Sequence, residues 1–153
     1  MQLLQNFLYH FKEASKVHNY NHFSILDYRF NDFVNSGHIR FIMKILITGA
    51  NGLLGQYAVK LFAGAGHEVM ATGRGGCRLP DLGKSYQYTD LDITDKKGVS
   101  LYVTAVRPEV IVHAAAMAQP DACELNREVC YDSNTNATLY FTEAAEAVSA
   151  KVL

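Results

Sequence analysis

The chain has 153 residues, of which 49% are hydrophobic and 19% are charged, and its formal net charge at pH 7 is -1. This length suits one ordinary domain with room for an appendage, and the hydrophobic content is enough for a packed core, which excludes a generally disordered chain. The balanced charge and the shortness of every apolar run predict that neither nucleic acid nor a membrane is a partner.

The composition changes at Met43. Residues 1–42 contain a single alanine and a single glycine, but four of the six histidines and six of the eight phenylalanines. Their helical pattern is weak and confined to Leu3–Phe11. This segment is either an aromatic docking arm or a loosely ordered extension, and we favour the second because terminal segments are commonly poorly tied down. We therefore predict an N-terminal extension at 1–42 and a folded domain at 43–153.

From Met43 onward, short apolar runs typical of strands alternate with apolar residues at helical spacing. The predicted elements are a strand at 44–48, a helix at 53–63, a strand at 68–72, a loop at 73–84, a strand at 86–89, a helix capped by Thr94 or Asp95 and ending at 106, a strand at 109–114, helical segments over 121–149 with weak points at Asn134 and Asn136, and the opening of a fifth strand at 151–153. This alternation predicts an α/β fold of the Rossmann type, in which helices cover both faces of a parallel sheet. We expect the chain to stop within the fifth strand.

A glycine-rich turn between the first strand and the first helix is the strongest chemical signal. Gly49, Gly52 and Gly55 follow one another at spacings of three residues. In this context the first glycine permits a sharp turn, the second lets a diphosphate approach the backbone, and the third lets the helix lie close to the sheet. The N–H groups at the start of the helix then face the phosphates. The turn therefore predicts a dinucleotide site, and the alternative is a tight turn with no ligand.

Arg74 stands at the end of the second strand, 19 positions after Gly55 (74 − 55). An acidic residue at this point selects NAD through the ribose 2′-OH, whereas an arginine accommodates the 2′-phosphate of NADP. The sequence therefore favours NADP(H) and leaves NAD(H) open, with Arg78 as a second candidate contact. The alternative is that Arg74 is a solvated residue in a glycine-rich loop.

Four motifs together carry a resemblance to a known family: Thr48-Gly49-x-x-Gly52-x-x-Gly55, Asp90-Leu91-Asp92-Ile93-Thr94-Asp95, Val112-His113-Ala114-Ala115-Ala116 and Asp132-Ser133-Asn134-x-x-Ala137-Thr138. With them, residues 43–153 resemble the N-terminal part of an extended short-chain dehydrogenase/reductase, in the dTDP-4-dehydrorhamnose reductase-like branch. This resemblance implies a Rossmann fold that binds NAD(P) in an oxidoreductase of nucleotide-sugar metabolism.

The resemblance also implies roles for single residues. Asp92 and Ile93 match the pair that lies against the adenine, the segment from Ala114 to Met117 matches the lining of the nicotinamide ribose and diphosphate, and Asn134 matches an asparagine near the active-site floor. Taken alone, Asp92 could equally cap a turn, the alanines could form a close-packed strand end, and Asn134 could be a surface residue. The predicted cofactor-binding set is Gly49, Asn51, Gly52, Leu53, Leu54, Gly55, Arg74, Asp92, Ile93, Ala114, Ala115, Ala116, Met117 and Asn134.

Catalysis in such a family needs a tyrosine that donates a proton and a lysine four residues later. No tyrosine of this sequence has a lysine at that spacing; Tyr57 and Lys60 are three apart. We therefore predict no catalytic residue in this chain, leave its status as an enzyme uncertain, and expect a nucleotide-sugar substrate only in a full-length form. His113, at the end of the fourth strand, is either a contact to cofactor or substrate or a structural histidine.

Two classes of function follow. The first is the dinucleotide-binding part of a reductase that transfers hydride to a nucleotide sugar, with an epimerase or dehydratase as a variant on the same scaffold. The second is a non-catalytic dinucleotide-binding module with a regulatory or sensing role, since some relatives of this branch resemble regulatory subunits of methionine adenosyltransferase. An unpaired sheet edge would also leave association into an oligomer open.

The cysteines bear on location. Cys77, Cys123 and Cys130 are few and odd in number, which argues against a disulfide framework. The first ten residues do not have the pattern of a secretory signal, so we expect the chain in the reducing cytoplasm. Cys123 and Cys130 lie seven apart on one predicted helix without a further ligand at metal-site spacing, so we interpret them as core or surface residues and predict no metal site.

Overall fold

The computed structural model describes residues 42–81 and 85–153. The predicted extension at 1–42 lies outside them except for its last residue, so it stays a prediction. The described secondary structure consists of β1 (Lys44–Thr48), α1 (Leu53–Gly64), β2 (Glu68–Gly73), β3 (Tyr86–Asp90), α2 (Lys96–Val106), β4 (Val110–His113), α3 (Pro120–Leu125), α4 (Arg127–Tyr131), a π-helical turn (Asp132–Asn136), α5 (Ala137–Val148) and β5 (Lys151–Val152).

The five strands form one parallel sheet in the order β3-β2-β1-β4-β5. In its centre, Ile45 of β1 pairs with Val69 of β2 on one side and with Val110 of β4 on the other. The chain moves outward from β1 in one direction through β2 and β3, and in the other direction through β4 and β5. The carboxyl ends of β1 and β4 therefore flank the point where strand order reverses, which is where open α/β sheets bind their ligands.

Alternate residues of the strands build a hydrophobic core on each face of the sheet. Ile45 and Ile47 pack with Val59 of α1 on one face, whereas Leu46 packs with Val103 of α2 and with α5 on the other. These side chains are at most 1% exposed, and truncation of such a residue to alanine typically costs about 2–5 kcal/mol. The two cores confirm the predicted parallel sheet with helices on both faces.

The end of α2 shows why this helix stops where the sequence predicts. Arg107 has a left-handed backbone (φ 49) and its N–H donates to Val103 O at 2.8 Å. Pro108 follows, and it disfavours a helical conformation for the residue before it. The left-handed turn closes the helix and directs the chain into β4.

The segment between β4 and β5 differs from its prediction. A helix in two pieces with weak points at Asn134 and Asn136 was expected, but the break falls at Asn126, which has φ -134 and ψ 62 between α3 and α4. At Asn134 and Asn136 the helix does not break. It widens into a π-helical turn and continues into α5.

The break at Asn126 also overturns the interpretation of two cysteines. Cys123 and Cys130 are joined by a disulfide, with their Cα atoms 5.0 Å apart. Seven residues of continuous α-helix would separate the Cα atoms by about 10.5 Å, which is too far for a disulfide. The expectation against a disulfide rested on the small, odd number of cysteines, and it is wrong for this pair because the interruption between α3 and α4 brings the two together. Cys77 is free and exposed.

Candidate functional site

The turn after β1 is shaped by a glycine that no other residue can replace without strain. Gly49 has φ +63, and a Cβ on it would lie 2.7 Å from the backbone of Ala114 and Ala115. Left-handed backbone costs a residue with a Cβ about 1–2 kcal/mol, and the contact adds to this cost. Gly49 therefore lets the end of β1 lie directly against the segment that follows β4. The structure thus brings together two stretches that the sequence predicts to line one cofactor.

The other two glycines of the turn have different roles. A Cβ on Gly55 would overlap Gly49 O and lie 2.6 Å from the Cα of Ala50, so this position serves the packing of α1 against the turn. A Cβ on Gly52 would approach only Gly49 O, at 3.2 Å, and its φ of -83 suits any residue. The fold requires Gly49 and Gly55, whereas at Gly52 a side chain needs only a shift of a few tenths of an ångström from Gly49 O.

The first turn of α1, beside Gly52, carries N–H groups that have no intrahelical acceptor. This glycine is the N-cap of the helix, where no side-chain cap is found among the described residues. The first turn is open to solvent, since Leu53 is 79% and Leu54 58% exposed. First-turn N–H groups of a helix have no intrahelical acceptor, and with the helix dipole they form an anion-binding end. A bare backbone cradle of this kind has the shape and polarity that a diphosphate needs. The Gly52 N–H itself donates to Gly49 O at 2.9 Å, so the candidate donors are those of Leu53 and Leu54.

A buried polar pair supports the junction between β1 and β4. Thr48, which is fully buried, places Oγ1 2.9 Å from His113 Nδ1 and accepts a hydrogen bond of 3.2 Å from Ala115 N. Thr48 and His113 are direct partners in the parallel register, so knowledge of that register was needed to find the pair. The hydroxyl thereby holds the backbone of Ala115 close to that of Gly49.

His113 contributes a neutral imidazole to this junction. Its ring packs on Phe141 with 4.9 Å between centroids, and burial lowers the pKa of His113 below its ordinary value. Within the described residues, its buried Nε2 has no hydrogen-bond partner. One ring nitrogen is therefore engaged in the fold, and the two alternatives for His113 that the sequence left open both stay open.

Asn134 holds the segment after β4 from the π-helical turn. Its Oδ1 accepts a hydrogen bond of 2.7 Å from Met117 N, and its Nδ2 donates to Met117 O at 3.0 Å. A side-chain amide that pairs with both the N–H and the C=O of one residue fixes the position of that residue. The structure thus links Asn134 to the predicted cofactor-lining segment, in which Ala114, Ala115 and Met117 are half-buried and Ala116 is exposed.

Arg74 and Asp92 meet at the ends of β2 and β3. Arg74 Nη2 lies 3.4 Å from Asp92 Oδ1, and the two side chains are 71% and 48% exposed. The same oxygen accepts hydrogen bonds from Thr94 N and Thr94 Oγ1 at 3.0 and 2.8 Å. These Thr94 bonds first, and Arg74 to a smaller extent, hold the pKa of Asp92 below its usual range. Asp92 therefore caps a turn, as its alternative interpretation had it, and it does so beside Arg74. The next residue, Ile93, packs into the core on the α2 and α5 face.

Asn51 lies at the same edge of the sheet, but its side chain is bonded to protein. Its Nδ2 donates to Tyr88 Oη at 2.9 Å and to Gly76 O at 3.1 Å, and its Oδ1 accepts from Arg78 N at 2.9 Å. The role of Asn51 toward a cofactor stays a prediction. Tyr88 was not among the residues predicted from the sequence. The available signal was its spacing of two from Tyr86, which places both tyrosines on the same face of β3, against the core.

A second concavity lies at the opposite end of the sheet. It has a volume of about 290 Å³ and is lined by Ile42, His67, Tyr86 and neighbouring residues. His67 Nδ1 accepts a hydrogen bond of 3.3 Å from Met43 N, and burial lowers the pKa of His67, more than nearby Glu109 raises it. A neutral histidine that is bonded to the backbone organises a strand end. The glycine turn therefore remains the candidate site.

Two findings concern the described residues as a whole. Across 42–81 and 85–153, no helix is long and apolar enough to cross a bilayer. In the same part of the chain, no group of three or more histidine, cysteine or acidic side chains is placed to hold a metal ion.

Comparison with known proteins gives a family and several relatives. Residues 43–153 match the family model described as the RmlD substrate binding domain. The chain is 34% identical over 103 residues to the dTDP-4-dehydrorhamnose reductase of Aggregatibacter actinomycetemcomitans, covering 67% of this chain and 30% of the relative. It is 28% identical over 107 residues to methionine adenosyltransferase 2 subunit beta of Rattus norvegicus, covering 70% and 30%. The chain thus spans about 30% of the length of these curated relatives.

Solved structures agree with this family. The Thermus thermophilus UDP-glucose 4-epimerase in complex with NAD is similar with a TM-score of 0.65 and 26% identity, over 72% of this chain and 36% of that one. The dTDP-4-dehydrorhamnose reductase of Bacillus anthracis in complex with NADP is similar with a TM-score of 0.52 and 26% identity, over 73% and 35%. These neighbours share an α/β Rossmann-like fold and were solved with nicotinamide dinucleotides bound.

Proposed function

The chain belongs to the family of the RmlD substrate binding domain, and from that membership we propose that it is the dinucleotide-binding part of an oxidoreductase of the short-chain dehydrogenase/reductase type. The observation that carries this proposal is the cradle at Gly52, where bare backbone and open helix N–H groups lie beside the Gly49–Ala115 approach. The similar solved structures with bound NAD or NADP support a nicotinamide dinucleotide as the ligand.

In this proposal each segment at the carboxyl ends of the strands binds one part of the cofactor. The main chain at Gly52, Leu53 and Leu54 receives the diphosphate, and the segment from Ala114 to Met117 receives the nicotinamide ribose. Asp92 and Ile93 lie on the adenine side, and Asn134 fixes Met117 from behind. The bound cofactor supplies the hydride chemistry, while the residues of this chain bind and orient it.

NADP(H) is the cofactor that we propose within this class. Arg74, with a guanidinium that is 71% exposed, stands at the end of β2, where it can turn toward a 2′-phosphate. Its present partner Asp92 is an exposed carboxylate, and an exposed ion pair of this kind holds an arginine by only about 0.2–1 kcal/mol. A phosphate dianion therefore competes well for Arg74. The relative with bound NADP is consistent with this choice.

Catalysis and substrate belong to the whole protein in this proposal. We propose reduction of a nucleotide sugar, by analogy with the dTDP-4-dehydrorhamnose reductases, with an epimerase or dehydratase as the variant that the UDP-glucose 4-epimerase neighbour supports. The sequence has no tyrosine followed by lysine at the fourth position, so we expect this chain to bind a dinucleotide without turnover.

A non-catalytic regulatory module is the second candidate. It is favoured by the similarity to methionine adenosyltransferase 2 subunit beta. Calorimetric titration of the 153-residue chain with NADPH and NADH tests the common core of both candidates. Binding of at least one dinucleotide is expected, and failure to bind either would refute the assignment. Hydride transfer by a version extended beyond Leu153 would decide for the enzyme over the module.

A cytoplasmic location is also a proposal, and Cys123 and Cys130 allow a test of it. A reducing cytosol keeps protein thiols reduced, so in that compartment the disulfide of the structure would open. Rapid alkylation in cells, followed by mass spectrometry, measures the free thiols at both positions. Labelling of both supports the cytoplasm, whereas full protection of the pair would contradict it.

A further inference from the structure

The loop that follows β2, here called the arginine loop (Arg74–Pro80), is fastened by side chains that lie outside it. Asp90 Oδ1 accepts from Gly75 N at 2.8 Å, and Tyr86 Oη donates to Pro80 O at 2.9 Å, at the two ends of the loop. Between them, two side chains, Asn51 and Tyr88, make three further hydrogen bonds to its backbone. Asn51 Oδ1 accepts from Arg78 N at 2.9 Å, Asn51 Nδ2 donates to Gly76 O at 3.1 Å, and Tyr88 Oη donates to Gly75 O at 2.8 Å. The two fastening side chains are also joined to each other, with 2.9 Å between Asn51 Nδ2 and Tyr88 Oη.

The protons of this network can be assigned without conflict. The N–H of Arg78 requires an acceptor, so the oxygen of the Asn51 amide faces it and the NH₂ group faces the other way. Its two hydrogens go to Tyr88 Oη and Gly76 O, and Arg74 O at 3.4 Å is a weaker third neighbour. Tyr88 then uses its own proton on Gly75 O. Burial raises the pKa of Tyr88, so the hydroxyl keeps that proton at neutral pH.

The arginine loop would be costly to order without these bonds. Leu79 packs against the core at one end of the loop, but Gly75 has φ +75, and a Cβ on Gly75 or Gly76 would meet nothing within 4 Å, so packing does not hold the two glycines. Fixing the backbone of one residue costs about 1–2 kcal/mol, and glycine loses the most freedom. A loop that is already fastened spares a ligand this cost, which is the general benefit of preorganisation.

We infer that Asn51 and Tyr88 are positioning residues for cofactor selectivity, because they hold in place the loop that carries Arg74 and Arg78. This inference rests on the proposed dinucleotide-binding function. A 2′-phosphate needs the guanidinium groups of the loop, whereas the 2′-OH of NADH uses no positive charge. Loosening the loop therefore weakens the binding of NADPH more than the binding of NADH. The ligand class that Asn51 and Tyr88 serve is thus a dinucleotide with a phosphorylated ribose.

Tyr88→Phe is the decisive variant, since it removes only the hydroxyl. In the full 153-residue chain, we expect the Kd for NADPH to rise about tenfold, the equivalent of one hydrogen bond, and the Kd for NADH to change less than about threefold. Asn51→Ala should lower the selectivity further, because it removes the acceptor of Arg78 N as well. Tyr102→Phe is the matched control, since its half-buried hydroxyl donates to Thr89 Oγ1 at 3.2 Å, away from the loop.

A second measurement does not depend on any cofactor. Hydrogen exchange followed by NMR should show that the Arg78 amide loses protection in Tyr88→Phe and in Asn51→Ala, but not in Tyr102→Phe. If the Arg78 amide loses protection and the ratio of the Kd for NADPH to the Kd for NADH stays at the wild-type value, the inference is overturned while the proposed function stands. Unchanged protection of the Arg78 amide would overturn it too. If the wild-type chain binds neither dinucleotide, the proposed function itself fails and takes the inference with it.

Discussion

Replacing Gly52 with valine should separate cofactor binding from folding. At this position a Cβ would meet only Gly49 O, at 3.2 Å, and the backbone angle φ of -83 suits any residue. A shift of a few tenths of an ångström relieves that contact, and loss of glycine as the N-cap in favour of a poorer capping residue adds about 1 kcal/mol. We therefore expect the free energy of unfolding to fall by no more than about 1–2 kcal/mol.

The effect of Gly52→Val on binding should be much larger. The isopropyl group would stand where the diphosphate must approach the first turn of α1, which displaces the phosphates from the helix N–H groups. A hydrogen bond to a charged group contributes about 1.5–3 kcal/mol, so the loss of two costs about 3–6 kcal/mol. This corresponds to a rise of roughly 10²- to 10⁴-fold in Kd for NADPH and NADH alike. Calorimetric titration gives the affinities, and urea unfolding followed by circular dichroism gives the stability.

Gly64→Ala provides the matched control for this experiment. It adds a Cβ at the last residue of the same helix, where nothing lies within 4 Å. Both dinucleotide affinities should stay at the wild-type value there. Wild-type affinity in Gly52→Val, with its fold intact, would refute the placement of the diphosphate against this turn.

Four further predictions concern the rest of the site. Gly49→Ala should lower the free energy of unfolding by at least about 2 kcal/mol, because it combines left-handed strain with a 2.7 Å backbone contact. A free energy of unfolding equal to that of the wild type, measured by urea unfolding, would show that the turn relaxes and would contradict this. Arg74→Ala should raise the Kd for NADPH about tenfold to a hundredfold and leave NADH nearly unchanged; equal effects in calorimetry would show that Arg74 does not bind the 2′-phosphate. Asp92→Asn should release Arg74 and tighten NADPH binding by up to about fivefold, and weaker NADPH binding would contradict competition between the carboxylate and the phosphate. Because burial lowers the pKa of His113, the unfolded chain binds this proton at a higher pH than the folded chain does, so the free energy of unfolding should decrease as the pH falls through about 6.5; His113→Gln should flatten that decrease, and an unchanged pH profile in the variant would refute it.

The disulfide shows where sequence patterns fall short. Apolar spacing predicted helix throughout the stretch that contains Cys123 and Cys130, and a continuous helix keeps the two apart. The backbone angles of Asn126 interrupt the helix and bring their Cα atoms to 5.0 Å. A single residue outside the helical region carries too weak a local signal to be placed by periodicity, whereas its effect on distances is large.

The glycine turn shows the opposite case. Its position between a buried strand and a helix was predictable because the apolar run of β1, the three glycines and the amphipathic pattern of α1 are all local. The structure adds the different demands on each glycine. Gly49 and Gly55 are required by backbone contacts, whereas a Cβ on Gly52 would meet only Gly49 O, at 3.2 Å. These contacts join parts of the chain that are distant in sequence, such as Gly49 and Ala115.

The amino-acid sequence by itself determined the alternation of strands and helices, the parallel sheet with two covered faces, and the location of the cradle after β1, because each depends on spacing within a few residues. Only the tertiary structure decided which side chains meet at the carboxyl ends of the strands. Thr48 with His113, Arg74 with Asp92, and Asn51 with Tyr88 pair across 18 to 65 residues. Such pairs follow from strand order and register, which place distant residues at the same edge of the sheet.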